Sequence, residues 1–167
     1  MKNYLITMLT LCLLMGCLKN DDVVLDYRGI EPLAINPNAN FPSKGVFPTP
    51  LIDSAFGVTK LNLTAKYSFQ MPAPQDIKVS FTRDDATASQ YNTTFGTTYL
   101  PLPLDCYELP AQAIIPAGSQ TVILPVKLFP NKISGTKKYI IAFSLTSADG
   151  VKIAENFKTM VFTLKGQ

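Results

Sequence analysis

The residues that could do chemistry exclude more than they permit. The 167-residue chain has no histidine. That removes a His-dependent triad, an imidazole general base and every histidine-ligated metal centre. Asp105 and Glu108 stand three positions apart. On a strand such positions face opposite ways, so without a sharp bend they do not form the facing carboxylate pair of a glycosidase. Asp84 and Asp85 are hard oxygen ligands of the kind calcium takes, but no EF-type spacing follows them. Placed just before Ala86 and Ala88, one or the other reads instead as a helix N-cap, or as plain solvated surface. Cys106 is the lone cysteine beyond residue 17. Without a histidine partner it reads as a small buried hydrophobe rather than a nucleophile. These residues call for no catalytic group, no metal and no cofactor. Binding chemistry remains. A tyrosine ring can stack on the face of a sugar, and tryptophan is absent. Tyr99 lies in a loop-like, proline-flanked stretch, with Asn92, Thr93 and Thr94 upstream as polar contacts. These four residues are the candidate ligand loop. Lys132 and Lys137-Lys138 form a basic patch that reads as solvated surface.

A second kind of chemistry sits at the N-terminus. Lys2 gives a short positive start, and Tyr4 to Met15 is an almost unbroken apolar run. The run is too short to cross a bilayer, which takes about 20 residues, and suits a secretory leader. Its end, Leu14-Met15-Gly16-Cys17, resembles the bacterial lipoprotein processing motif. That resemblance implies cleavage after Gly16, diacylglycerol on the Cys17 thiol and acylation, such as palmitate, of the new amine. Several acyl chains anchor where one would be marginal. Lys19, Asp21 and Asp22 come directly after. Acidic residues just past the cysteine resemble the surface-export signal of lipoproteins from the Bacteroides group. The expected location is the outer membrane, lipid-anchored and facing the cell exterior.

The rest of the chain must position these groups, and its patterning is β. A formal charge of +3, with no arginine cluster, gives no footprint for nucleic acid. Thirteen prolines favour turns and edges over long helices. Val23, Leu25 and Tyr27 alternate as a short first strand or an extended edge segment, and residues 36–45 have loop composition. Lys60 to Phe69 alternates cleanly, with Leu61, Leu63, Ala65, Tyr67 and Phe69 on one face. Ile77, Val79 and Phe81 repeat the pattern after Pro72-Ala73-Pro74. The two runs read as neighbouring strands joined by a proline-rich turn. Asp84 to Phe95 tolerates one or two helical turns as a crossover between sheets ending at Gly96, with Tyr91 and Phe95 four apart toward the core. Residues 97–104 read as loop. Tyr107 to Leu128 holds two apolar runs split by Pro116-Ala117-Gly118-Ser119, and Val122, Leu124, Val126 and Leu128 share one face. Lys138 to Thr146 places Tyr139, Ile141, Phe143 and Leu145 on the core face. Asp149-Gly150 suits a tight hairpin into Val151-Lys152-Ile153, and Lys158 to Lys165 is the last strand.

About seven strands without βα alternation predict an all-β, immunoglobulin-like antiparallel β-sandwich with one short crossover helix. A small closed barrel is the alternative. The expected organisation is a signal peptide over 1–16, a lipidated N-terminus, tether and irregular edge segment over 17–50, and the sandwich over 51–167.

Taken in order, several of these pieces resemble a family. They are Gln90-Tyr91-Asn92, Leu104 through Tyr107-Glu108-Leu109, Ile114-Ile115-Pro116-Ala117-Gly118-Ser119, the alternation from Val122 to Val126, Tyr139 through Ser147, and Val161-Phe162-Thr163-Leu164. The combination is similar to DUF1735, the N-terminal domain of BT_3987-like lipoproteins of gut Bacteroidetes. The resemblance implies an immunoglobulin-like sandwich on an outer-membrane lipoprotein, often carrying a second module and often occurring with glycan-uptake systems. It carries no catalytic residues to transfer. The expectation is a surface-displayed, non-enzymatic binding or accessory module in glycan acquisition or adhesion, with polysaccharide or an envelope protein as partner. The alternative is a structural or protein-interaction component of the envelope with no small ligand.

Overall fold

A computed structural model describes residues 29–41 and 58–166. The chain divides into two compact units, Met1–Ile30 and Glu31–Gln167. The leader, Cys17, Lys19, Asp21, Asp22 and the alternation from Val23 to Tyr27 lie outside the described residues. Among the described residues no helix is long and apolar enough to cross a membrane.

The second unit is a sandwich of two sheets. Sheet one is built from β1 (Leu33–Ile35), β2 (Lys60–Ser68), β5 (Tyr107–Glu108), β7 (Thr121–Leu128) and β9 (Lys152–Ile153), in the order β5-β7-β2-β1-β9. Its spine is the antiparallel β2–β7 ladder, which sets Leu61 against Val126 and Leu63 against Leu124. The period-two pattern of both strands turns those side chains inward together, because successive residues of a strand face opposite ways. Leu63 and Val126 are fully buried. Burying such a side chain contributes about 1.5–3 kcal/mol.

Sheet two contains β3 (Ile77–Arg83), β6 (Ala113–Ile115), β8 (Lys138–Ala148) and β10 (Thr159–Lys165), in the order β10-β8-β3-β6. A short β4 (Leu100–Pro101) runs parallel to the start of β8. The ladder of β3 on β8 ends at Arg83, opposite Phe143. There the chain leaves as α1 (Asp85–Phe95) and returns as β4 on Tyr139 and Ile140. The helix is thus an excursion from a single sheet, and its return strand continues where β3 stopped.

The fold class is as the patterning predicts, but several connections differ. β2 and β3 are not sheet neighbours; they lie in opposite sheets. The segment between them crosses the end of the sandwich. Ala73 donates its N–H to Ser119 O at 2.9 Å and accepts from Gly118 N at 2.8 Å. A proline-rich stretch lacks the donors to continue a ladder, so it bridges layers instead. Asp149-Gly150 turns the chain, but not into a hairpin. Asp149 N–H is taken by Lys78 O, and β9 passes to sheet one, parallel to β1. The helix is also longer than one or two turns, because Tyr91 and Phe95 supply packing that outweighs the weak helix propensity of Asn92, Thr93 and Thr94.

The sandwich also takes in residues that the sequence pattern assigns to the tether and irregular edge segment. β1 lies between β2 and β9 in sheet one with Ala34 in the core. Phe41, in a run of loop composition, is buried. Three residues are too few to show alternation, so neither contribution is visible as a period.

Candidate functional site

The candidate loop is positioned by α1, and α1 is fixed at both ends. Asp84 is its N-cap and accepts from Thr87 N at 2.9 Å. Its other oxygen accepts from the Thr87 hydroxyl and from the Ser144 hydroxyl of β8, both at 2.8 Å. Ser144 is in turn hydrogen-bonded to Thr159 of β10 at 2.6 Å. This chain of groups ties the helix start to two strands. Burial alone would raise the Asp84 carboxyl. The hydrogen bonds from Thr87 and Ser144, helped by the charge of Lys158, hold it below the usual aspartate range. The aspartate is thus committed to capping. Its neighbour Asp85 is paired with Arg83.

At the other end Gly96 takes the left-handed conformation, φ 61°, that lets a helix stop. Asn92 then straps down the chain beyond the helix. Its Oδ1 accepts from Tyr99 N at 3.1 Å and from the Thr97 hydroxyl at 2.7 Å, and its Nδ2 donates to Tyr99 O at 2.9 Å. The amide therefore pairs with the Tyr99 backbone much as a neighbouring strand would. Asn40 does the same on the far edge of sheet two, accepting from Val161 N at 2.7 Å and donating to Val161 O at 2.9 Å. That seats Phe41 beside Tyr91, with ring centroids 5.6 Å apart.

The loop residues do not act as a set. Asn92 is occupied in holding the loop. The Thr93 hydroxyl bonds back to Ser89 O at 3.2 Å within the helix. Thr94 is exposed. Tyr99 is half-buried, its ring 6.3 Å from that of Tyr91. What the arrangement does make is an open concavity of about 230 Å³, lined by Gly96, Thr97, Thr98, Tyr99 and Lys138. Of these only Tyr99 stands among the candidate ligand residues. Lys138 comes from the start of β8, far along the sequence, and only the β4–β8 pairing brings it near.

A second concavity lies on the outer face of sheet one. It measures about 300 Å³ and involves Leu33 and Ile35 of β1, Ser68 of β2 and the turn Ala154–Phe157. None of these residues is singled out by the sequence. Phe157 ends a short 3-10 turn and is 52% exposed. A third, of about 170 Å³, lies near Tyr67, Ile77 and Gly150.

The remaining candidates are structural. Cys106 is buried, with its thiol 3.4 Å from Lys132 O. Burial, together with the neighbouring Asp105 carboxylate, pushes the thiol pKa up, which keeps it in the unreactive form. Asp105 pairs with Lys132 at 3.8 Å, while Glu108 sits on β5 opposite Lys127. Among the described residues no group of three or more His, Cys, Asp or Glu is placed to hold a metal ion.

With this geometry in place, comparison with known proteins decides the family. A family model whose description reads "-like, N-terminal domain" matches residues 36–152. The chain belongs to the DUF1735 family of BT_3987-like N-terminal domains. This DUF1735 domain shares its fold with several Bacteroides crystal structures. A two-domain protein of unknown function from Bacteroides fragilis aligns with TM-score 0.61 and 17% identity, over 82% of this chain and 46% of that one. A candidate carbohydrate binding protein from Bacteroides ovatus aligns with TM-score 0.60 and 12% identity, over 80% and 37%. EndoBT-3987 of Bacteroides thetaiotamicron, solved with a Man5GlcNAc product, aligns with TM-score 0.51 and 15% identity, over 67% and 28%. The chain spans less than half the length of each of these proteins. No curated protein matches the sequence.

Proposed function

We propose that this protein is a lipid-anchored β-sandwich displayed on the cell surface, where it acts as a non-catalytic binding or accessory module in glycan acquisition. Membership of the DUF1735 family over residues 36–152 carries the reading. It is supported by the fold shared with a candidate carbohydrate binding protein and with EndoBT-3987. The Leu14-Met15-Gly16-Cys17 junction supports the anchor, and Lys19, Asp21 and Asp22 support outward display. The contact surface we assign is the concavity beside Tyr99. The half-buried Tyr99 lines it together with Thr97, Thr98 and Lys138, a mixture of aromatic and polar residues of the kind a sugar site uses.

The test has two parts. Affinity gel electrophoresis of the full chain against polysaccharides should retard the wild type and not Tyr99→Ala; equal retardation of both removes the assigned surface. Protease shaving of intact cells should release the protein. Replacing Asp21 and Asp22 together should abolish that release, and unchanged release defeats the export reading.

A protein-interaction role with no small ligand is the second reading. It is favoured by Ile123, Met71 and Leu104, each more than half exposed among the described residues. Clean negatives across polysaccharides, with a protein partner recovered by crosslinking on cells, would establish it instead.

A further inference from the structure

On the outer face of sheet one, the register sets Leu33 beside Ser68 across the β1–β2 ladder. Ala34 points into the core, so Leu33 and Ile35 point out. They form an apolar floor. The turn Glu155–Phe157 forms one wall of the groove, so that Glu155, Asn156 and Phe157 all belong to its lining.

The wall is held in place. Ala154 N–H donates to Ala34 O and Phe157 N–H to Ala154 O, both at 3.0 Å, while Phe157 O accepts from Asn36 N at 2.6 Å. Asn36 is itself completely buried. Glu155 is paired with Lys158 at 2.6 Å. A large ring is therefore kept in water by a backbone that cannot easily withdraw it. Pre-set groups of this kind bind with little further ordering cost.

We propose that this groove is a second sugar subsite, one that stacks the apolar face of an uncharged pyranose ring on Phe157. The proposal rests on the glycan reading above and adds a platform separate from the Tyr99 concavity. The chemistry fits a sugar in three respects. The floor and ring are apolar, as the C–H face of a pyranose requires. Ser68, Asn156 and Glu155 offer a hydroxyl, an amide and a carboxylate, which match ring hydroxyls. The Glu155 carboxylate has Lys158 as its partner, so the lining makes no demand for a charged ligand. A peptide added as an extra strand is disfavoured here, because the edge of β1 is occupied by β9 and by the Asn36–Phe157 bond. The volume of about 300 Å³ is at the small end for ligand sites, which suits one sugar residue of a chain.

The experiment uses the full chain in detergent micelles, with laminarin, yeast mannan and arabinoxylan as neutral probes. Affinity electrophoresis gives the affinity, and amide NMR shifts give the location. The expected result is retardation by at least one probe, with shifts at Asn156 and Phe157. Phe157→Ala should weaken that binding about tenfold or more, Phe157→Trp should retain it, and both should melt at the wild-type temperature. Binding that leaves residues 154–157 unshifted and is indifferent to Phe157→Ala overturns this subsite while the glycan reading stands. No binding of any probe overturns both. Capture of a protein at Phe157 without glycan binding assigns the groove to a protein partner and likewise overturns the proposal.

Discussion

Sheet two carries α1 and Phe41 on its outer face, over Ile140, Ala142 and Val161. Sheet one carries nothing comparable among the described residues: Leu33 and Ile35 are only half-buried and Ile123 is 58% exposed. The strands reflect the difference. β8 is buried on both faces from Tyr139 to Leu145, whereas β2 and β7 alternate buried and open. A strand buried on both sides holds its register and its neighbours firmly. A strand with one wet face can present side chains to a ligand. The covered face thus positions the Tyr99 loop, and among the described residues the other face of the sandwich stays uncovered.

The largest test of this contrast is Tyr91→Ala. Tyr91 is 2% exposed and touches the rings of Phe41, Phe95 and Tyr99. Its truncation should cost about 3–5 kcal/mol in urea unfolding, and a loss under about 1 kcal/mol would mean the helix is only loosely docked. Next is Asn92→Ala. Three hydrogen bonds are lost at once. A loss of about 1–2 kcal/mol is expected, together with faster hydrogen exchange at Thr97 and Tyr99. Unaltered exchange would show that β4 alone holds the loop.

Asp84→Ala should cost about 1 kcal/mol at neutral pH through the lost cap. Its pH dependence has a definite sign. The folded carboxyl titrates below its unfolded value. Its contribution is therefore present above about pH 4 and is lost as the pH falls through the folded value. Asp84→Asn should flatten that acid limb, and an unchanged acid limb would mean that other carboxylates set it. The smallest effect is expected on the open face. Ile123→Thr should change stability by less than about 0.5 kcal/mol. A cost as large as that of Asn92→Ala would show that this face is covered after all.

Much of the fold is legible in the residues because period-two alternation is local. Leu61, Leu63 and Ala65, or Leu124, Val126 and Leu128, declare their common face without reference to any partner. Asp84 and Gly96 declare the helix ends through capping chemistry. The loops are less legible. Asn92 reads as a ligand contact, because an asparagine in a loop has the same appearance whether its amide meets a sugar or the backbone of Tyr99. Phe157 stands out in no pattern, since a single aromatic residue in a short turn has no period. Its exposure depends on where Asn36 lies, at the opposite end of the domain sequence.

Residue type and spacing within one element are enough to determine the long strands β2, β3, β7, β8 and β10, their core faces, the helix caps and the absence of histidine chemistry. Pairings between distant segments decide the rest: which strands share a sheet, which face α1 covers, that Lys138 stands beside Tyr99, and that the Phe157 groove exists. The proline-rich crossing at Ala73 and the turn at Asp149-Gly150 could each have led to a neighbouring strand or to the opposite sheet. The hydrogen bonds to Ser119 and Lys78, which no local pattern announces, made that choice.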